Sequence, residues 1–251
     1  MAARPIIALL SLIILAGGIL LQFFSILSGG VNSFPENQFY FLEASTNGIP
    51  NARNPSRWTF FAVCGVDTSS GHNANCGAPV PALPFDPPRN FDARQNVPEA
   101  FIGTNHYYYM SRFMFAFFLI ALFFSVIALF AGLLALCSRL GGYLSALTTA
   151  IALFFQILAA ALMTSWTIKG RNAFRRSGQS AKLGVKLYAF TWAAVACFLI
   201  ATVLFCCGGA LSRDSSVSGI RRKHSTRSHR STNRGSFFDT ESQRRVKDDY
   251  S

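Results

Sequence analysis

The chain has 251 residues, of which 51% are hydrophobic and only 14% charged. That balance excludes an ordinary soluble domain, which carries more charge and shorter apolar runs. The net charge of +12 is segregated into Lys169 to Lys186 and the region after residue 210, which suits a membrane surface better than nucleic acid.

Residues 1–5 precede the first apolar run and are read as a cytosolic N-terminus. Ile6 to Leu27 contains no charge. A helix needs roughly 20 apolar residues to cross the hydrocarbon core. The run is longer than the apolar core of a cleaved signal peptide, about 7 to 15 residues, so 6–27 is read as an uncleaved first span. Residues 28–112 form a long, nearly neutral loop. Within it, Phe39 to Leu42 and Trp58 to Val63 are short aromatic and β-branched runs flanked by Gly, Pro and Asn. They are expected as strands of a small sheet. Pro79, Pro81, Pro84, Pro87 and Pro88 then impose an extended, irregular path. The Asn54-Pro55-Ser56 triplet is not a usable glycosylation acceptor, because proline follows the asparagine.

Residues 113–137, 144–166 and 188–207 are the second, third and fourth spans, each free of Asp, Glu, Lys, Arg and His. Tyr107, Tyr108, Tyr109, Tyr143, Trp166 and Tyr188 lie near their ends, where amphipathic rings favour the headgroup level. The link 138–143 is too short for anything but antiparallel neighbours. Ala146, Ala150, Ala160, Ala193 and Ala201 are small residues that would let helices approach closely. Gln156 is strongly polar within the third span and is expected to hydrogen-bond a neighbouring helix. Residues 167–187 read as a basic loop. Residues 208–251 read as a basic tail, too poor in aliphatic residues to fold, and therefore disordered. The fold class is a mainly α membrane protein: a four-helix transmembrane bundle with a small extracellular β-sheet in the first loop.

Four of the six cysteines lie in or beside apolar segments, which leaves Cys64 and Cys76 as a candidate disulfide pair; two free thiols are the alternative reading. A metal site joining them to His72 and His106 fits no standard zinc spacing, and neither a metal nor a cofactor is expected. Basic residues near the span ends are almost evenly divided between the two sides, so charge alone leaves orientation open. A disulfide needs an oxidising compartment, whereas the kinase-like sequences around Ser225 and Ser231 need cytosol. Both place the termini inside and the long loop outside. Cys137, Cys206 and Cys207 then lie at cytosolic span ends as candidate acylation sites, or simply as small apolar residues. Arg221, Arg222, Lys223, Arg227, Arg230 and Arg234 form an acid-free basic run suited to anionic inner-leaflet lipids. Phosphorylation of Ser225 and Ser231 would oppose that attraction.

The motifs FYFLEAST (39–46), IPNA (49–52), RWTFFAVC (57–64), NC (75–76), PALPFDPPRNF (81–91), RNAF (171–174) and KLGVKLYAFTW (182–192) resemble the fungal Sur-seven/PalI-type family of claudin-like membrane proteins. The resemblance covers most of residues 1–210 and leaves out the tail. It marks Arg57, Trp58 and Phe61 as the loop motif before Cys64. Where relatives often carry a second large aromatic such as Trp, this chain has Phe60-Phe61, so no role that needs a Trp pair is carried over.

The resemblance implies a multi-pass plasma-membrane protein of cortical patches, the eisosome-associated compartments, linked to membrane organisation, cell-wall integrity and endocytosis. Its expected partners are membrane lipids, cortical scaffold proteins and further copies of itself. A channel or transporter for a neutral substrate is the alternative. Ion paths and intramembrane catalysis usually rely on charged or histidine side chains, and the four spans have no Asp, Glu, Lys, Arg or His, so an enzyme is not expected.

Overall fold

The structure, a computed structural model, describes residues 3–31, 33–136 and 138–224. It divides into two units, Met1–Gly209 and Ala210–Ser251. The first holds four helices long and apolar enough to cross a membrane, over Ile6–Ile26, His106–Leu134, Leu140–Arg176 and Val185–Gly208. In lipid, only a helix or a closed barrel satisfies every backbone N–H and C=O, and these runs are long enough for helices. They are α1, Ala3–Ile26; α3, His106–Ala135; α4, Arg139–Arg176; and α5, Val185–His224. A short helix, α2, spans Pro87–Phe91.

Helices α3 and α4 form the expected antiparallel hairpin. Ser138 ends the link, its side chain accepting from the Gly141 backbone N–H at 3.1 Å. Further along, the Trp166 indole donates to Met114 Sδ at 3.2 Å and the Ser145 hydroxyl to the Ala128 carbonyl at 3.1 Å. Of the small residues singled out in the sequence, Ala146, Ala160 and Ala201 are buried. Ala150 is half-buried and Ala193 is exposed; its neighbour Ala194 faces inward instead. A lower core joins Leu12 and Leu15 of α1 to Phe198 and Phe205 of α5 through Ala128, Ala146, Ala152 and Ala201.

One end of the bundle carries the sheet and is called the head below. Strands β1 (Leu42–Ala44), β2 (Ser56–Trp58), β3 (Val63–Val66) and β4 (Asn73–Ala74) come from the long loop. The fifth, β5 (Ala181–Leu183), lies between α4 and α5. The order is β4-β3-β2-β1-β5, with every pair antiparallel. The strands begin and end a few residues away from the apolar runs expected to form them. Trp58 to Val63 contains the turn between β2 and β3, closed by Thr59 N–H to the Ala62 carbonyl at 3.1 Å and Ala62 N–H to Thr59 Oγ1 at 3.0 Å.

Strand register explains which face is apolar. Leu183, Leu42, Trp58 and Val63 stand in one cross-strand row. Successive residues alternate faces, so the next row, Lys182, Glu43, Arg57 and Cys64, points the other way. The apolar row meets an aromatic core. Trp58 packs on Phe85, Phe91 and Phe174 at centroid distances of 5.1, 5.8 and 5.6 Å, and Phe85 continues to Trp166 at 4.7 Å. Such pairs add roughly 0.5–1.5 kcal/mol each beyond burial, so the head is fastened to the helix ends by rings.

Two segments differ from expectation. Residues 167–187, expected as a loop, are helical through Arg176, and only the stretch up to β5 is a connection. Hydropathy marks where lipid ends, not where a helix ends; Ala173 and Phe174 are buried beneath the sheet and hold those turns in place. The tail, expected as disordered from 208, continues as helix to His224. Extending an existing helix needs no new nucleus. Residues 225–251 lie outside the described residues.

Candidate functional site

The site is the outer row of the sheet together with the loop that the disulfide closes. Cys64 on β3 bonds Cys76, just beyond β4, and the Gly77 N–H returns to the Val63 carbonyl at 3.0 Å. The loop between them turns at Asp67, whose carboxylate accepts from Ser69 N–H at 3.0 Å and from the Ser70 hydroxyl at 2.7 Å. The Ser69 backbone N–H is the main cause, ahead of the Ser70 and Ser69 hydroxyls, that lowers the Asp67 pKa from 3.8 to about 2.

Arg57 is the centre of the row. Its Nη2 lies 2.8 Å from Glu43 Oε2 and its Nε donates to the same oxygen at 2.9 Å. Its Nη1 donates to the Gly71 carbonyl and to Asn73 Oδ1, at 2.9 and 3.0 Å. The guanidinium also stacks 4.2 Å from the centre of the Tyr40 ring. The Arg57 and Glu43 side chains are only 9% and 11% exposed, so this charge pair is desolvated and fully bonded rather than a surface contact. Glu43 Oε1 takes a second cation, Lys182, at 3.4 Å. A single carboxylate thereby joins the long loop to the segment between α4 and α5.

Trp58 is anchored at both ends. Its ring is enclosed by the aromatic core, and its indole N–H donates to Asn90 Oδ1 at 3.0 Å. Asn90 also accepts from Asp86 N–H at 3.2 Å and donates to the Pro84 carbonyl at 3.1 Å. Beside it, burial raises the Asp86 pKa above its ordinary value despite Arg89 at 3.1 Å. The proline-rich stretch is therefore the clamp on Trp58.

The structure brings Arg57, Trp58, Cys64 and Cys76 together. Phe61 is half-buried against Phe115, at 6.0 Å between centroids. The deeper aromatic is Phe60, 2% exposed, which reaches Phe41, Phe115 and Phe118. Glu43, Asn73, Asn90 and Lys182 were not singled out in the sequence. Charged and amide residues at strand and loop positions carry no pattern of their own, although Glu43, Asn90 and Lys182 fall inside the motifs quoted above. His72 and His106 take different partners, Asn37 and Lys169. Cys206 and Cys207 are exposed on α5. Arg221, Arg222 and Lys223 fall on its helical end, while Cys137, Ser225, Arg227, Arg230, Ser231 and Arg234 lie outside the described residues. Among the described residues, no three His, Cys, Asp or Glu side chains gather as metal ligands.

Four membrane-length helices beneath a small disulfide-closed antiparallel sheet define a multi-pass, claudin-like membrane protein. The sequence pattern of the SUR7/PalI family matches residues 7–204. The chain is 38% identical to Protein SUR7 of Candida albicans over 226 residues, covering 89% of this chain and 79% of that relative. It is 42% identical over 203 residues to the SUR7 family protein FMP45 of Saccharomyces cerevisiae, covering 80% of this chain and 65% of that one. An uncharacterized plasma membrane protein of Saccharomyces cerevisiae is 36% identical over 211 residues, 82% of this chain and 69% of its own length. The chain belongs to the SUR7/PalI family.

Proposed function

We propose that the protein is a structural organiser of plasma-membrane domains, the cortical patches of eisosomes, with downstream effects on membrane organisation, wall integrity and endocytosis. The observation that carries this reading is membership of a family that includes a named plasma membrane protein. The construction agrees with it: residues 6–27, 113–137, 144–166 and 188–207 are free of Asp, Glu, Lys, Arg and His, and the head is fastened to the helix ends by packed aromatic rings. In this reading the head is extracellular, because its disulfide needs an oxidising compartment, and both termini are cytosolic. Arg221, Arg222, Lys223, Arg227, Arg230 and Arg234 meet anionic inner-leaflet lipids, and phosphorylation at Ser225 and Ser231 weakens that contact. Acylation of Cys137, Cys206 or Cys207 would add a further anchor. Cortical scaffold proteins and further copies of the chain are its protein partners.

A fluorescent fusion of the full chain tests this. Static cortical puncta that recover slowly after bleaching support the organiser; a uniform mobile signal overturns it. The competing reading, a channel or transporter for a neutral substrate, predicts solute flux into liposomes holding the purified protein, where the organiser gives none.

A further inference from the structure

A cavity of about 380 Å³ opens at the head end of the bundle, apart from the disulfide-closed sheet. One wall is a single face of α4: Lys169, Asn172, Ala173 and Arg176, spaced i, i+3, i+4 and i+7. The other is Glu99 with Ala100, from the 3-10 turn Glu99–Phe101, and the ring of Tyr107 at the start of α3. The hollow exists because Ala100, Ala173 and Ser177 are small where a longer side chain would fill it.

Two properties point to its occupant. First, the charges do not neutralise one another. Among the described residues Glu99 forms no ion pair with Lys169 or Arg176, although all three line the same space. Lys169 instead lies 3.2 Å from His106 Nε2, and the two cations are separated along the helix by about 10 Å. A ligand that carries both signs can span this gap; a simple anion would leave the carboxylate opposed. Second, the cavity lies at headgroup height. Lys169 follows the end of the third apolar run, at Trp166, by about 4.5 Å of helix, and Tyr107 lies in the first turn of α3, ahead of the second apolar run.

The geometry points to a binding site for a zwitterionic phospholipid headgroup bearing a primary ammonium, in the leaflet on the head side. Arg176 and Lys169 hold the phosphate, through charge-assisted bonds that Arg makes in pairs. Glu99 accepts from the ammonium, whose three N–H donors a quaternary ammonium lacks. Asn172 and the Tyr107 hydroxyl supply neutral partners between the charges. The site would hold its lipid whether or not the protein organises membrane domains.

The test uses the full chain in mild detergent. Native mass spectrometry would titrate phosphatidylethanolamine, phosphatidylcholine and phosphatidylglycerol of matched acyl chains, with soluble phosphoethanolamine as a separate arm. Phosphatidylethanolamine should bind roughly tenfold more tightly than the other two, the value of one charge-assisted bond. Glu99→Gln should abolish that preference, and Arg176→Gln should weaken all three by a similar factor. Equal affinity of the unmodified protein for the three lipids overturns the site. So does a preference that survives Glu99→Gln in a variant whose melting curve matches the parent. Soluble phosphoethanolamine binding as tightly as the lipid overturns the lipid assignment and leaves a site for a free amino-phosphate.

Discussion

Glu43 and Arg57 are the residues whose loss the head can least absorb. Removing Arg57 leaves the buried Glu43 carboxylate with only the exposed Lys182 and takes the donor from the Gly71 carbonyl and Asn73 Oδ1, at a cost of about 3–5 kcal/mol for breaking a buried pair. Arg57→Met is therefore expected to destabilise the purified protein on that scale in a denaturant titration. Lys182→Met should cost at most about 1 kcal/mol, because the Lys182 side chain is 72% exposed and its attraction to Glu43 is screened. Similar losses for the two variants would mean that Glu43 does not distinguish its partners. Asp67 is a different case, half-buried and tied only to its own turn. Its folded pKa lies below the unfolded one, so the turn's stabilisation is complete above pH 3.8 and is lost as pH falls through about 2. The Ser69 amide resonance should titrate with a midpoint near 2; a midpoint at 3.8 would show that the carboxylate hydrogen bonds do not persist in solution.

At the scale of elements, β5 decides whether the sheet is finished. Gly184 follows it, and a Cβ there would stand 1.6 Å from the Tyr40 carbonyl oxygen. Gly184→Ala should displace β5 and expose the 177–184 connection to protease, whereas Gly142→Ala, with open space around it, should leave the digestion pattern unchanged. This strand also marks the limit of what sequence conveys. The four spans are legible because charge-free apolar length has one stable outcome in a membrane, and Cys64 and Cys76 are legible because the other cysteines lie in or beside apolar segments. Ala181–Leu183 is three residues with no alternation to detect, and its pairing with Leu42–Ala44 depends on chain far away in sequence. The last turns of α4 were hidden for a related reason: Lys169, Arg171, Arg175 and Arg176 look like a loop to hydropathy, yet their backbone is held by Phe174 packing under Trp58. Phe60 and Phe61 are alike as letters, and only the turn from Thr59 to Ala62 sends Phe60 inward.

For the whole molecule, two buried amides tie three helices of the bundle together. Gln22 Nε2 of α1 donates to Gln156 Oε1 of α4 at 2.9 Å and to the Phe118 carbonyl of α3 at 3.0 Å, and both glutamines are fully buried. The polarity of Gln156 within the third span predicts a bond to a neighbouring helix; its partner, Gln22, lies inside the first apolar run, where a lone amide leaves no pattern. Interhelical bonds of this kind are worth about 0.6 kcal/mol on average and up to about 1.7. Gln156→Leu alone should destabilise the bundle within that range. Gln22→Leu combined with Gln156→Leu should recover much of the loss, since two apolar side chains leave no orphaned amide. Purely additive effects in a double-mutant cycle would refute the lock.

The strand contributed from between α4 and α5 also sets an order of assembly. Synthesis proceeds from the N-terminus, so both disulfide cysteines and four strands exist before α4 has been made. The sheet stays one strand short, with Glu43 lacking its second cation, until the α4–α5 hairpin has crossed and delivered Ala181–Leu183 to the same side. A hairpin inserted the wrong way round leaves that edge open and the Phe41 carbonyl without the Gly184 N–H it accepts at 3.0 Å. A closed five-stranded sheet is therefore compatible only with the threading that brings both ends of the α4–α5 connection to the head.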